Sequence, residues 1–273
     1  MVRTYTDAQG LPFISEIDSW LVWREKTKGF TDLESFPAAR TNAAYCPLCQ
    51  KDRIVTDEKY GRMYCLCFML QYQQKIGLKL NKYRTPFDLF EVVPIEKMDD
   101  RNQPDMIEAI SAFKHFVNTL DSWLLVSGPR GTGKTNLLMS TATKLGPMAL
   151  YLSADDFEHR LFYALETGNV VRFMNDIKRA PVLLFDDWGT EYGQSSSGSS
   201  FVNAKFRAII NWRYAYWREF PTAVTTNWNP AQVLEQDARV GSRLRDDRRS
   251  KLLVINISDY RDKKNRRNHA SNS

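Results

Sequence analysis

Gly128-Pro129-Arg130-Gly131-Thr132-Gly133-Lys134-Thr135 follows the apolar run Trp123-Leu124-Leu125-Val126 and precedes a helical pattern from Asn136 to Leu145. This order of strand, glycine-rich turn and helix is that of a phosphate-binding loop. The backbone N–H groups of the turn point inward and the positive end of the helix aims at the same spot, so a polyphosphate such as that of ATP can sit there. The glycines allow close backbone approach, Lys134 is of the right length for the β- and γ-phosphates, and the Thr135 hydroxyl can ligate Mg²⁺.

Working outward, Val182-Leu183-Leu184-Phe185-Asp186-Asp187 runs four apolar residues into two carboxylates, 51 positions after Thr135. A buried strand of a parallel sheet delivers such acids to the carboxyl edge, where ligands bind. Asp186 is the candidate for the Mg²⁺ shell and Asp187 for polarising the attacking water. Thr225-Thr226-Asn227 ends a further strand. Its amide can orient that water or touch the γ-phosphate, and it also suits a plain strand-end turn. The run from Arg239 to Arg249 is dense in arginine. It reads either as a solvated helix face or as the source of an arginine finger for the nucleotide of a neighbouring subunit, with Arg243 first and Arg239, one turn earlier, second. The finger reading implies a homo-oligomer.

The spacing predicts strands at 123–127, 149–153, 182–186, 222–226 and 251–257, alternating with helices at 104–118, 135–145, 155–166, 170–179 and 201–217. This is an α/β fold, a five-stranded parallel P-loop core. In the first of these helices Ile107, Ile110, Phe113 and Val117 share a face. The stretch Gly193 to Ser200 is rich in serine and reads as a loop.

All four cysteines fall between positions 46 and 67. Cys46 and Cys49, then fifteen residues with Tyr60-Gly61 near their turn, then Cys65 and Cys67, can place four thiolates around Zn²⁺. Four thiolates leave no open position, so the site is structural; buried free cysteines or a redox pair are the alternative. Before it, residues 15–26 form a helix with Ile17, Trp20 and Leu21 on one face, which packs on its own protein or docks a partner. After it, residues 68–75 are helical. The stretch 77–104 then loses periodicity and carries three prolines, reading as a linker, with Tyr83, Phe87, Leu89 and Phe90 suited to lie against the main domain. The expected organisation is residues 1–100 with the zinc module at 46–67, an ATPase domain at 101–260 and a basic tail at 261–273.

The net charge of +6 modestly favours a polyanionic partner. Phosphate contacts are expected from Arg243 to Lys251, from Lys205 and Arg207, and from the tail, with Tyr192 and Phe201 as candidates for base stacking or for helix-end core. No apolar run approaches the roughly 18 residues of a membrane span, and Met1 to Gly10 lacks a signal-peptide layout, so no membrane partner and a cytoplasmic location are expected.

These motifs, with the Asp186-to-Gly189 continuation and the Asp259-Tyr260-Arg261 ending, resemble the AAA+ ATPases of the DnaC/DnaI helicase-loader and IstB transposition-helper group, over roughly residues 104 to 262. Sixteen residues follow Ile257, too few for a full helical lid. The resemblance implies ATP hydrolysis between subunits of an oligomer and work on DNA or a DNA-bound client. A loader would take a replicative helicase onto single-stranded DNA, and a transposition regulator would hold duplex target DNA for a transposase. A third reading is a module that holds ATP with little turnover.

Overall fold

The computed structural model describes residues 4–6, 12–27, 46–50, 52–87, 91–100, 102–189 and 197–257. The chain divides into two compact units, Met1–Lys79 and Leu80–Ser273. Leu89, Phe90, Tyr192, the Asp259-Tyr260-Arg261 ending and the basic tail lie outside the described residues.

In the first unit, β1 (Thr4–Thr6), β2 (Pro12–Ile14), β3 (Ile54–Asp57) and β4 (Gly61–Tyr64) form one sheet in the order β1-β2-β4-β3. The β3–β4 pair is the hairpin expected between the cysteine pairs, and the β1–β2 half went unread. Helix α1 (Glu16–Lys26) is capped by Ser15, whose Oγ accepts from the Asp18 N–H at 3.1 Å. Its apolar face packs within its own unit. Ile17, Trp20, Val22 and Trp23 are buried, Trp23 donates to the Tyr64 carbonyl at 2.8 Å, and Ser19 Oγ accepts from the Tyr64 N–H at 3.1 Å. Helix α2 (Leu66–Asn81) is longer than the expected 68–75, because Gly77 is tolerated between the half-buried Ile76 and the buried Leu80.

The second unit is a five-stranded sheet of β5 (Trp123–Ser127), β6 (Ala149–Ser153), β7 (Val182–Trp188), β8 (Thr222–Thr226) and β9 (Ser250–Val254). All its pairings are parallel and the order is β6-β7-β8-β5-β9. Every residue of β5 and β8 is buried, as strands covered on both faces require. The helices are α3 (Pro104–Thr119), α4 (Lys134–Leu145), α5 (Ala154–Glu166), α6 (Val170–Lys178), α7 (Ser197–Ala215), α8 (Pro230–Gln236) and α9 (Ala238–Leu244). Three expectations are corrected. Ile107 of α3 is 47% exposed, because the inward stripe is carried by Met106, Ala109, Ile110, Phe113, Phe116 and Val117. Of the stretch 193–200 read as loop, 197–200 form the first turn of α7 and 193–196 lie outside the described residues. Strand β9 ends at Val254, before the expected Ile257.

Arg213 of α7 is fully buried. Its guanidinium donates to the carbonyls of Ile177, Lys178, Ala180 and Pro221 and to the Thr222 hydroxyl. These acceptors sit at the end of α6 and just before β7 and β8, so Arg213 ties α7 to the sheet edge opposite the carboxyl ends of the strands. No described helix is long and apolar enough to cross a membrane.

Candidate functional site

The loop between β5 and α4 has the form its glycines dictate. Gly131 and Gly133 adopt φ of 76° and 91°, in the region that costs an L side chain most. At Gly128 a Cβ would stand 2.1 Å from the Ile255 carbonyl oxygen, so only glycine lets the loop pass beside the end of β9. Thr132 Oγ1 donates to the Pro129 carbonyl at 3.0 Å, and Arg130 is exposed at the rim. Thr135 is the second residue of α4 and half-buried.

The strand order explains what meets this loop. Since β8 lies between β5 and β7, the residue that follows it stands between the phosphate loop and the two carboxylates. Lys134 Nζ donates to the Gly128 and Pro129 carbonyls at 2.8 and 2.7 Å and to Asn227 Oδ1 at 2.9 Å. The other arm of the same amide, Asn227 Nδ2, donates to Asp187 Oδ1 at 3.3 Å. One side chain therefore touches both the lysine and the second acid.

Asp186 and Asp187 sit on a break in the β7–β8 register between Phe185 and Trp188, and Asp187 has φ of 57°. A bulge of this kind turns consecutive side chains away from strict alternation, so both acids serve the sheet edge. Asp186 accepts from the Tyr151 hydroxyl at 2.8 Å and from the Thr225 hydroxyl, and Thr225 Oγ1 in turn accepts from the Asp187 N–H at 2.9 Å. Gly189 closes the motif, because a Cβ there would meet the Trp228 ring at 2.5 Å. Burial, then the Asp186 charge, push the Asp187 carboxyl above the usual carboxylate range, while Lys134 and the Asn227 amide hold it down. Burial also pushes the Lys134 ammonium below the ordinary lysine value, opposed by the charges of Asp187 and Asp186.

Beside the loop lies a cleft of about 410 Å³ lined by Val93, Lys97, Met98, Asp99, Gly133 and Asn136. Asn136 fixes its wall by exchanging two hydrogen bonds with the Val93 backbone, at 3.0 and 3.1 Å. Neither this cleft nor Tyr151 and Thr225 was picked out from the sequence. A tyrosine inside an apolar strand is nonetheless a signal, since its buried hydroxyl needs a partner.

The two arginines of α9 stand apart from this cluster in their bonding. Arg243 folds back, donating to the Arg239 carbonyl at 2.8 Å with its guanidinium 5.6 Å from the Tyr214 ring, and Arg239 is exposed. Of the other basic candidates, Arg207 pairs with Asp237 at 2.7 Å and Lys205 lies 4.9 Å from the centre of the Phe201 ring.

In the first unit the four cysteines converge. All are buried, their sulfurs lie within 4.8 Å of one another, and the pairs Cys46–Cys65 and Cys49–Cys67 are 3.7 and 3.6 Å apart. A tetrahedron with metal–sulfur bonds of about 2.3 Å has edges of about 3.8 Å, so the thiols fit a structural tetrathiolate ion. Burial pushes the Cys67 thiol up to about 12 and raises Cys65 as well. A bound cation would therefore displace protons from these sulfurs.

Residues 124–251 match the family described as ATPase family associated with various cellular activities (AAA). Over 94 residues the chain is 35% identical to the chromosomal replication initiator protein DnaA of Aquifex aeolicus (strain VF5), covering 33% of this chain and 22% of that protein. Over 126 residues it is 27% identical to the protein of the same name from Cereibacter sphaeroides (strain ATCC 17029 / ATH 2.4.9), covering 44% and 26%. The chain thus spans about a quarter of the length of these relatives. Among solved structures, AMPPCP-bound DnaA from Aquifex aeolicus is similar in fold, with a TM-score of 0.52 at 22% identity over 68% of this chain and 57% of that one. The crystal structure of DnaI is similar with a TM-score of 0.50 at 23% identity, over 64% of this chain and 93% of that one. The parallel sheet, the loop around Lys134 and the match over residues 124–251 agree: this part of the chain has a P-loop AAA+ α/β core.

Proposed function

We propose that the protein is an ATP-hydrolysing accessory factor of DNA replication, a loader of the DnaC/DnaI kind that brings a replicative helicase onto single-stranded DNA. The observation that carries the hydrolytic part is the Asn227 amide, which holds Lys134 with one arm and Asp187 with the other. In this reading the backbone from Gly128 to Thr135 and the Lys134 ammonium bind the phosphates, and the apolar cleft beside Gly133 takes the base. Thr135 and Asp186 would hold Mg²⁺, which supplies charge neutralisation on the phosphate oxygens. Asp187 accepts a proton from the attacking water, and burial, by raising its proton affinity, favours that role. Asn227 orients the water and keeps Asp187 in register with Lys134. Arg239 or Arg243 of a neighbouring subunit would complete the site by neutralising charge on the γ-phosphate.

The replication setting is supported by the names of the similar proteins, one of whose structures is described as a replication initiator DnaA bound to AMPPCP and single-stranded DNA. The zinc-stapled first unit would grip the helicase. A Lys134→Ala protein tests the reading: it should fold, yet lose ATP-dependent binding to single-stranded DNA. Unchanged ATP-dependent binding would sink the proposal, and a strong preference for duplex DNA would favour the transposition-helper reading instead.

A further inference from the structure

Both oxygens of Asp186 are held by hydroxyls from the strands on either side of β7. Thr225 on β8 donates to Oδ1, and Tyr151 on β6 donates to Oδ2 at 2.8 Å. Tyr151 is 2% exposed, so its O–H has no water to turn to. The β6–β7 pairing sets Tyr151 beside Leu184, and residues 83–87 hold it from the open edge of β6. Along β6, the edge strand of the sheet, the Thr85 N–H donates to the Tyr151 carbonyl at 3.0 Å and the Ser153 N–H donates to Thr85 Oγ1 at 2.8 Å. The Phe87 ring stands edge-on to the Tyr151 ring, with centroids 5.3 Å apart at 82°.

The segment is pinned upstream as well. Tyr83 donates to Asp176 at 2.8 Å, Arg84 to the Gly146 carbonyl at 2.9 Å, and Arg160 to the carbonyls of Lys82 and Arg84. A covalent and hydrogen-bonded path thus runs within the second unit from Tyr83, through Thr85 and Phe87, to Tyr151 and the carboxylate.

We propose that Tyr151 is a positioning residue for Asp186, and that the segment 83–87, acting through the Tyr151 hydroxyl, sets how well Asp186 holds a divalent cation. This rests on the reading of Asp186 as the residue that holds Mg²⁺. A carboxylate tied at both oxygens keeps one orientation. With one hydroxyl removed the group can rotate, and loss of such an outer hydrogen bond typically weakens metal binding about tenfold or more.

The test titrates Mg²⁺ into the full chain with a fluorescent ATP analogue and reads binding, with thermal melts alongside. Y151F keeps the ring against Phe87 and removes only the O–H. It should raise the half-saturating Mg²⁺ concentration about tenfold and leave nucleotide binding in EDTA unchanged. F87A should raise it in the wild-type background and add nothing in the Y151F background, the non-additivity expected of residues acting in series. If D186N shifts the Mg²⁺ dependence and Y151F does not, the proposal is overturned. If D186N itself produces no shift, the metal assignment fails and the proposal falls with it. Should Y151F not fold, F87A alone decides, since it retains the hydroxyl: a shift supports the proposal and an unmoved titration overturns it.

Discussion

Replacing Asn227 by alanine removes both arms of the bridge at once, and the two losses have different consequences. Lys134 keeps the Gly128 and Pro129 carbonyls at 2.8 and 2.7 Å, so the ammonium stays in the loop and ATP affinity should change by no more than about threefold. Asp187 loses its amide donor. A hydrogen bond to a charged group contributes about 1.5–3 kcal/mol, and the 3.3 Å separation places this one near the lower end. At about 1.4 kcal/mol per factor of ten, kcat should fall about 10- to 30-fold. The pH profile supplies an independent reading. Catalysis needs the ionised Asp187 carboxylate, so the rate is lost as pH falls through its pKa. Burial and the Asp186 charge raise that pKa, and the Asn227 amide lowers it. Deleting the amide must therefore move the acid limb of the profile to higher pH. Single-turnover hydrolysis across pH, with binding measured separately, checks both effects. A kcat within threefold of wild type, or an acid limb that does not move upward, would refute the assignment of Asn227 and Asp187.

Arg213→Met should destabilise the second unit. The Ile177 and Pro221 carbonyls keep the N–H groups of Ala180 and Leu183, and the Thr222 hydroxyl keeps the Phe220 carbonyl, which leaves Lys178 and Ala180 dependent on the guanidinium. Two buried acceptors at about 1–3 kcal/mol each give a loss of about 2–6 kcal/mol. In a calorimetric melt this lowers Tm by several degrees, and a Tm within one degree of wild type would count against the clamp. For the cysteine cluster, metal analysis of purified protein should find about one Zn per chain, and a strong chelator should expose the first unit to limited proteolysis. Less than about half an equivalent would remove the metal site.

The second unit was readable from sequence because its strands are buried on both faces and appear as uninterrupted apolar runs bounded by glycine, proline or charge. Trp123 to Ser127 and Val182 to Phe185 are of this kind. The cysteine cluster was readable because all four cysteines fall in two close pairs between positions 46 and 67, a spacing that packing alone does not impose. Other features leave no such trace. Strands β1 and β2 are three residues each, too short to show an alternation. The bulge that turns Asp187 is a property of the β7–β8 pairing, and pairing is invisible in one segment. The short helix α9 lies within the arginine run, whose charge alone suggests one solvated face. Tyr151 does leave a signal, a hydroxyl inside an apolar strand, but its partner Asp186 lies on another strand and cannot be read from the segment alone.

The strand order also has a consequence for synthesis. Strand β5, which carries the phosphate loop, pairs only with β8 and β9, and β8 begins 95 residues after β5 ends. At about 5–20 residues per second a nascent chain spends roughly 5–20 s with that strand lacking either neighbour. The loop therefore cannot be set in its bound shape while the chain grows, and nucleotide capture is deferred until nearly all of the second unit has left the ribosome. Any truncation before residue 222 forfeits the loop along with the strands that are missing.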